Sequence, residues 1–137
     1  MEKWLDEALG IWKSQNLKLN EKASTTLIET AESFLNFQFP DDFKQLYLEM
    51  NGFDYLEWEE HLFSVWSLER IIEEFEPERD FITFSDYSLS ANHIGFRIGR
   101  VGIYKIYPSL EDVRPELISK SFKEVVNMIN SNSKLVY

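Results

Sequence analysis

The chain of 137 residues contains no cysteine, which excludes disulfide bonds and thiolate metal sites. Its only histidines, His61 and His93, form no paired metal-binding motif. No apolar run approaches the ~20 residues of a membrane-spanning helix, and the first residues lack a signal-peptide pattern. Neither a nucleophile elbow nor a glycine-rich loop opening a helix is present. We therefore expect a cytoplasmic protein with no metal, no organic cofactor and no catalytic activity.

Apolar residues are plentiful, with 44% hydrophobic and 15% aromatic residues. That content supports a packed core and argues against disorder. The length suits one domain, and no linker, repeat or low-complexity tract divides residues 1–137. We therefore expect a single domain over the whole chain.

Negative charge is concentrated in the middle of the chain. The formal net charge is −10, and residues 41–80 alone carry −10, against −2 for residues 1–40 and +2 for residues 81–137. Such a field repels nucleic acid and anionic membranes and attracts basic proteins. An equally simple interpretation is that the acids keep the protein soluble.

Hydrophobic periodicity predicts the helices. Apolar residues at helical spacing indicate helices over 2–14, 20–35 and 41–50, and a last helix over 122–130. Leu27, Ile28, Ala31, Phe34 and Leu35 are expected to form the buried stripe of the second helix.

Helix boundaries can also be predicted. Pro40 suits a first-turn position, and Asn51-Gly52 is expected to end the third helix in a left-handed conformation. Ser67 is expected to cap a short helix, and Ser121 to cap the last one.

Strand-forming segments follow the third helix. Residues 62–66, 81–85, 94–98 and 103–107 are rich in β-formers, and the glycines of 99–102 indicate a hairpin turn. Because these strands lack long helical crossovers, we expect an α+β fold with an antiparallel or mixed sheet of at least four strands flanked by helices. The tail 131–137 is expected to fray or to add an edge strand. The expected core comprises Phe43, Leu46, Tyr47, Trp66, Phe84, Phe96, Ile106, Phe122 and Val126.

Three segments in order resemble the SUKH superfamily, which includes bacterial immunity proteins and a yeast regulator of cell-wall glucan synthesis. They are residues 39–52 with the proline-started helix and Asn-Gly, the paired segments 63–69 and 81–86, and the Ser-Phe helix start within 118–125. The family often has a glycine-containing strand soon after the Asp of the second strand. This sequence departs from that pattern, because residues 86–93 intervene before the glycine of 94–96. The resemblance implies an α+β sheet flanked by helices and a protein-binding role, in bacterial members commonly the neutralisation of a toxin such as a nuclease.

Two acidic segments are the candidate binding surface for a basic protein partner. The first, 54–60, alternates aromatic and acidic residues, and the second, 73–78, is an acidic helix end. Aromatic residues supply contact area and acids supply steering, whereas the structural alternatives are a loop folded back on the core and a solvated helix end. The predicted partner-binding residues are Asp54, Tyr55, Glu57, Trp58, Glu59, Glu60, Glu73, Glu74, Glu76 and Glu78.

Two functions remain open from the sequence. One is an immunity protein that neutralises a cognate basic toxin domain by direct binding. The other is an intracellular scaffold or regulatory domain of the same fold without a toxin partner. The sequence does not determine the oligomeric state.

Overall fold

A computed structural model describes residues 1–110 and 114–137. Its centre is a five-stranded antiparallel sheet in which each strand pairs with the next one along the chain. The strands are β1 (Phe63–Val65), β2 (Phe81–Tyr87), β3 (Asn92–Arg97), β4 (Ile103–Ile106) and β5 (Glu116–Ser119). Antiparallel neighbours can be joined by short turns, as β2, β3 and β4 are, whereas the connection from β1 to β2 contains a helix at Leu68–Glu73.

Within the described part of the chain, five α-helices accompany the sheet. They are α1 (Lys3–Ser14), α2 (Thr25–Leu35), α3 (Asp41–Tyr47), α4 (Leu68–Glu73) and α5 (Phe122–Asn130). Helix α5 packs against α1, α3 and β5, whereas α4 packs against α2 and β2. The α+β fold predicted from the sequence is therefore confirmed, as are four of its strands and the hairpin turn at 99–102.

Aromatic rings form the centre of the core. The ring of Phe122 on α5 lies 5.1 Å from that of Phe43 and 5.0 Å from that of Phe84, measured between centroids. The ring of Phe96 lies 5.6 Å from that of Phe43. Nearly perpendicular pairs of this kind place the positive edge of one ring against the negative face of another, which favours a tightly packed interior.

Eight of the nine expected core residues are buried, and Ile106 is the exception. Side chains alternate between the two faces of a strand, and in β4 the buried positions are Ile103 and Lys105. Ile106 is therefore only half-buried, on the opposite face. Phe34, expected in the buried stripe of α2, is instead 61% exposed.

Two helix boundaries differ from those expected. Helix α2 begins at Thr25 rather than near residue 20, because Ser24 accepts a hydrogen bond from the Leu27 N–H at 3.0 Å and the preceding Ala23 N–H donates to the Tyr47 carbonyl. Helix α3 ends at Tyr47, so Asn51-Gly52 does not terminate it. The predicted caps at Ser67 and Ser121 are confirmed, since each accepts a backbone N–H three residues on.

The tail docks instead of fraying or forming a strand. Residues Lys134–Val136 form a short 3-10 helix, and Val136 is fully buried. The Tyr137 ring lies 4.8 Å from that of Tyr87 and 5.5 Å from that of Phe63. The strand that the sequence did not predict, β5, has two exposed residues out of four and the sequence Glu-Leu-Ile-Ser, which shows no alternating apolar pattern.

Candidate functional site

The predicted binding loop, residues 54–60, lies along the outer edge of β1. At one end the Phe53 N–H donates to the Val65 carbonyl at 2.7 Å, and at the other the Glu59 N–H donates to the Phe63 carbonyl at 2.7 Å. Phe53 is buried and its ring meets that of Trp12 edge-on at 5.1 Å. The two ends of the loop are thus attached to the sheet, and the middle faces outward.

The middle of the loop exposes apolar side chains. Tyr55 and Leu56 are each 74% exposed, and Trp58 is 46% exposed. The alternative that these aromatics fold back onto the core is therefore wrong for Tyr55, and Trp58 is covered only in part. Asp54 and Glu57 are partly exposed and Glu60 is exposed, so acids flank the aromatics as expected.

Glu59 does not belong to this surface. Its side chain is buried, and Oε1 accepts hydrogen bonds from the N–H groups of His61 at 2.8 Å and Phe63 at 3.1 Å. Its Oε2 lies 3.0 Å from Nδ1 of His61. Burial raises the pKa of the Glu59 carboxyl, and the two backbone donors and His61 partly oppose that rise. Glu59 is therefore a structural residue, and its prediction as a partner-binding residue is wrong.

The second acidic segment is exposed but only partly adjoins the first. Glu73, Glu74, Glu76 and Glu78 all face solvent. Only Glu74 is linked to the loop, through Arg70, whose Nε donates to Glu74 Oε2 at 2.8 Å. Glu74 and Glu76 instead line a separate cleft of about 270 Å³ that also contains His93.

Arg70 lies at the centre of the surface, between two aromatic rings. Its guanidinium carbon is 4.0 Å from the Trp66 ring centroid and 5.3 Å from that of Tyr55. A terminal nitrogen is 3.7 Å from a carboxylate oxygen of Asp86. A guanidinium stacked in this way is attracted to the negative ring faces, so Arg70 connects the loop to α4.

Asp86 forms the floor beneath Arg70. This carboxylate is buried and accepts hydrogen bonds from the hydroxyls of Ser64 on β1 and Ser90 in the turn after β2, the latter at 2.9 Å. A buried charge needs such partners, because removing it from water is otherwise costly.

A groove of about 470 Å³ opens above this floor. Its walls are the loop 54–60 on one side and the turn between β2 and β3 on the other. The apolar side chains lining it are Tyr55, Leu56, Trp58, Leu62 and Leu89. A second cleft of about 510 Å³ shares Tyr55, Ser64 and Arg70 with the groove and extends toward Asn51.

Sequence reasoning missed several groove residues. Leu62, Leu89, Arg70 and Asp86 come from separate elements that only the sheet brings together. The sequence nevertheless indicated that the segment with Asp86 and Leu89 is unusual, because residues 86–93 are where it departs from the family pattern. In the structure this segment is the β2–β3 hairpin and its turn.

The described residues contain no group of three or more His, Asp or Glu side chains arranged to hold a metal ion. His61 faces Glu59 and Glu60, and His93 lies 3.2 Å from the Thr83 hydroxyl and edge-on to Trp66. Desolvation by burial lowers the pKa of His93. None of the helices within 1–110 and 114–137 combines the length and apolar content of a membrane span.

A small α+β domain with an open, aromatic-lined surface has the features of a binding domain. The family comparison agrees. The model of the SMI1 / KNR4 family (SUKH-1) matches residues 22–128, and the chain belongs to this family. Domains of this family are generally non-catalytic binding proteins. A comparison with curated proteins finds no significant match.

Proposed function

We propose that the chain is an immunity protein that neutralises a basic toxin domain by binding it directly. The observation that carries the proposal is the loop 54–60, which exposes Tyr55 and Trp58 between the acids Asp54, Glu57 and Glu60. Aromatic side chains of this kind anchor interfaces, and surrounding charges set specificity and the rate of encounter.

Family membership supports this proposal, since the SUKH group includes immunity proteins. The charge of the chain supports a basic partner. A nuclease, for example, must present cationic residues to bind phosphate groups, and an acidic protein surface can compete for the same residues. In this mechanism the domain needs no chemistry of its own, because it covers the surface with which the toxin binds its substrate.

Glu73, Glu74, Glu76 and Glu78 have a different part in the proposal. Glu74 and Glu76 already pair with Arg70 and Arg79, at 2.8 Å and 2.6 Å. Of the two pairs, Glu76–Arg79 is exposed on both sides, and exposed pairs contribute little energy. We therefore assign the segment 73–78 to long-range attraction of the partner, and the loop 54–60 to direct contact.

Co-expression with a candidate toxin, for which the product of an adjacent gene is the first choice, tests the function. Wild-type protein should restore growth of cells that produce the toxin. The triple variant Asp54→Lys, Glu57→Lys, Glu60→Lys should not, because like charges then face each other and binding weakens by about 3 kcal/mol, roughly a hundredfold in Kd. Glu59 is left unchanged because it is buried.

The matched control is Asp6→Lys, Glu29→Lys, Glu49→Lys. These acids are also exposed, so the net charge changes by the same amount away from the loop. This control should still protect the cells. Equal failure of both variants would mean that only the net charge matters. Tight binding without protection would favour a scaffold or regulatory role, and absence of binding would refute the proposal.

A further inference from the structure

The turn between β2 and β3 holds a strained backbone. Ser88, Leu89 and Ser90 have successive positive φ angles of 47°, 56° and 72°, and Leu62 across from them has φ 73°. Bulky L-residues rarely adopt this conformation, which costs energy at each position. The Ser88 N–H donates to the Leu62 carbonyl at 2.9 Å, so the two strained segments hold each other in place. Such strain is concentrated at functional sites.

The strained segments present apolar side chains to solvent. Leu89 is 82% exposed and Leu62 is 45% exposed. Together with Leu56 and Trp58 they line the groove, so apolar side chains come from both the loop 54–60 and the β2–β3 turn. Because burial would normally remove such side chains from water, a strained backbone that keeps them exposed indicates a surface that another molecule covers.

The floor of the groove is negative overall. Asp86 has Arg70 as a neighbouring cation at 3.7 Å, but Arg70 is bound more closely by Glu74 at 2.8 Å. One guanidinium is thus shared by two carboxylates, and Glu57 on the wall adds a third. A negative floor between apolar walls fits a long side chain that has an apolar stem and a cationic end.

Building on the function proposed above, we propose that this groove holds an extended segment of the basic partner whose arginine side chain reaches Asp86. The arginine stem would lie against Trp58 and Leu89, and aliphatic neighbours in the segment would contact Leu56 and Leu62. An arginine suits the site because its planar guanidinium stacks on aromatic rings and pairs with carboxylates. A second copy of this chain fits poorly, since each copy carries a net charge of −10.

The direct test uses a defined probe, acetyl-Leu-Arg-Leu-amide, with citrulline and glutamate counterparts. In an NMR titration of the ¹⁵N-labelled protein, the arginine peptide should produce saturable shifts in the amides of residues 55–58, 62–64 and 86–91. The citrulline peptide keeps the shape but loses the charge and should bind about tenfold more weakly. The glutamate peptide should not bind. Equal binding of the arginine and citrulline peptides, or shifts elsewhere, would overturn the proposal.

Two variants and a control localise the effect. Leu89→Ser removes an exposed apolar side chain from the groove wall and should weaken binding of the arginine peptide about tenfold. Val101→Ser is the control, because Val101 is 83% exposed in the turn at the opposite end of the sheet, and this change should leave binding unaltered. Asp86→Asn removes the charge and keeps one side-chain oxygen as acceptor, while the serine hydroxyl on the other side can turn to accept from the amide N–H. Arginine and citrulline peptides should therefore bind this variant equally.

The proposal of the groove and the proposal of an immunity function can be refuted independently of each other. The peptide titration needs no toxin, whereas the growth assay needs no knowledge of the groove. A toxin whose binding tolerates Leu89→Ser but not reversal of Asp54, Glu57 and Glu60 would refute the groove and leave the immunity function standing. A wild-type dimer in sedimentation that Leu89→Ser dissociates would show that a second copy occupies the groove, and would refute the basic partner segment.

Discussion

Glu59 and Glu60 are neighbours in an acidic segment, yet they have opposite roles. The Glu60 side chain is 62% exposed, whereas that of Glu59 is fully buried beneath the loop. The Glu59 carboxylate closes the turn before β1 by accepting the N–H groups of His61 and Phe63. Its contribution is therefore to the shape of the binding loop and not to its charge.

Replacing Glu59 by Ala should destabilise the fold. The two backbone N–H groups then lose their acceptor inside the protein, and each buried group left unsatisfied costs about 1–3 kcal/mol. Glu60→Ala is the control and should change the free energy of unfolding by less than ~0.5 kcal/mol. Urea titrations of the three proteins measure the difference. A loss for Glu59→Ala no larger than that for Glu60→Ala would contradict the structural role.

Glu59→Gln removes the charge of this side chain and keeps its hydrogen bonds, because the amide oxygen can still accept both N–H groups. Burial raises the folded-state pKa of Glu59 above its ordinary value of 4.5, so the folded protein binds this proton more tightly than the unfolded chain does. Stability of the wild type is therefore lost as the pH rises from 4.5 through the raised pKa. The unfolding free energy of Glu59→Gln should improve relative to wild type over this range. A difference that is constant with pH would contradict the shifted pKa.

The Asn51-Gly52 pair joins elements rather than ending a helix. Asn51 Oδ1 accepts the Leu68 N–H at the start of α4 at 2.8 Å, and its Nδ2 donates to Glu69 Oε1 at 2.8 Å. Gly52 has φ 75°, and a Cβ there would lie 2.5 Å from backbone atoms of Trp66 and Ser67. The pair thus packs the chain after α3 tightly against the β1–α4 junction, beside Arg70.

Gly52→Ala should therefore destabilise the protein by at least about 2 kcal/mol, because the new methyl group meets backbone and the left-handed conformation disfavours alanine. Gly10→Ala is the matched control within α1, where a Cβ meets nothing within 4 Å. There alanine should stabilise by about 0.5–1 kcal/mol through its better helix propensity. Denaturant midpoints of the two variants should move in opposite directions. A neutral Gly52→Ala would show that this junction is loosely packed.

The distribution of charge over the whole molecule predicts the kinetics of association. Residues 41–80 carry the entire net charge, and they include both the loop 54–60 and the segment 73–78. Long-range attraction raises the rate of encounter and is screened by salt, because the Debye length shortens from ~10 Å at 0.1 M to ~3 Å at 1 M. Contacts made after docking mainly determine how slowly the complex dissociates.

The association rate with the proposed basic partner should therefore fall at least about tenfold between 0.05 and 0.5 M salt, while the dissociation rate changes little. Trp58→Ala should instead change mainly the dissociation rate. It should raise the dissociation rate about thirtyfold, as loss of an interface anchor does, and keep the same salt dependence. Surface plasmon resonance separates the two rates. A salt-independent association rate would show that the acids serve solubility alone.

Much of the architecture was predictable from local sequence. Apolar residues at helical spacing located α5, and serine caps located the starts of α4 and α5. Glycines located the turn between β3 and β4. These signals are readable because each depends on residues only a few positions apart. The strand β5 carried no such signal, since at an exposed edge its pairing with β4, and not an apolar pattern, defines it.

The sequence by itself determined that this is an acidic α+β domain of the SUKH family with aromatic residues interleaved among acids in residues 54–60, and it left open whether those aromatics are exposed. Only the tertiary structure decided which acid is buried, that Arg70 lies between Tyr55 and Trp66, and that Leu89 faces the loop 54–60 across a negative floor. The physical reason is distance along the chain. Those contacts join residues from separate strands, helices and turns, so they depend on the register of the sheet and the path of its connections, which periodicity and local propensity do not encode.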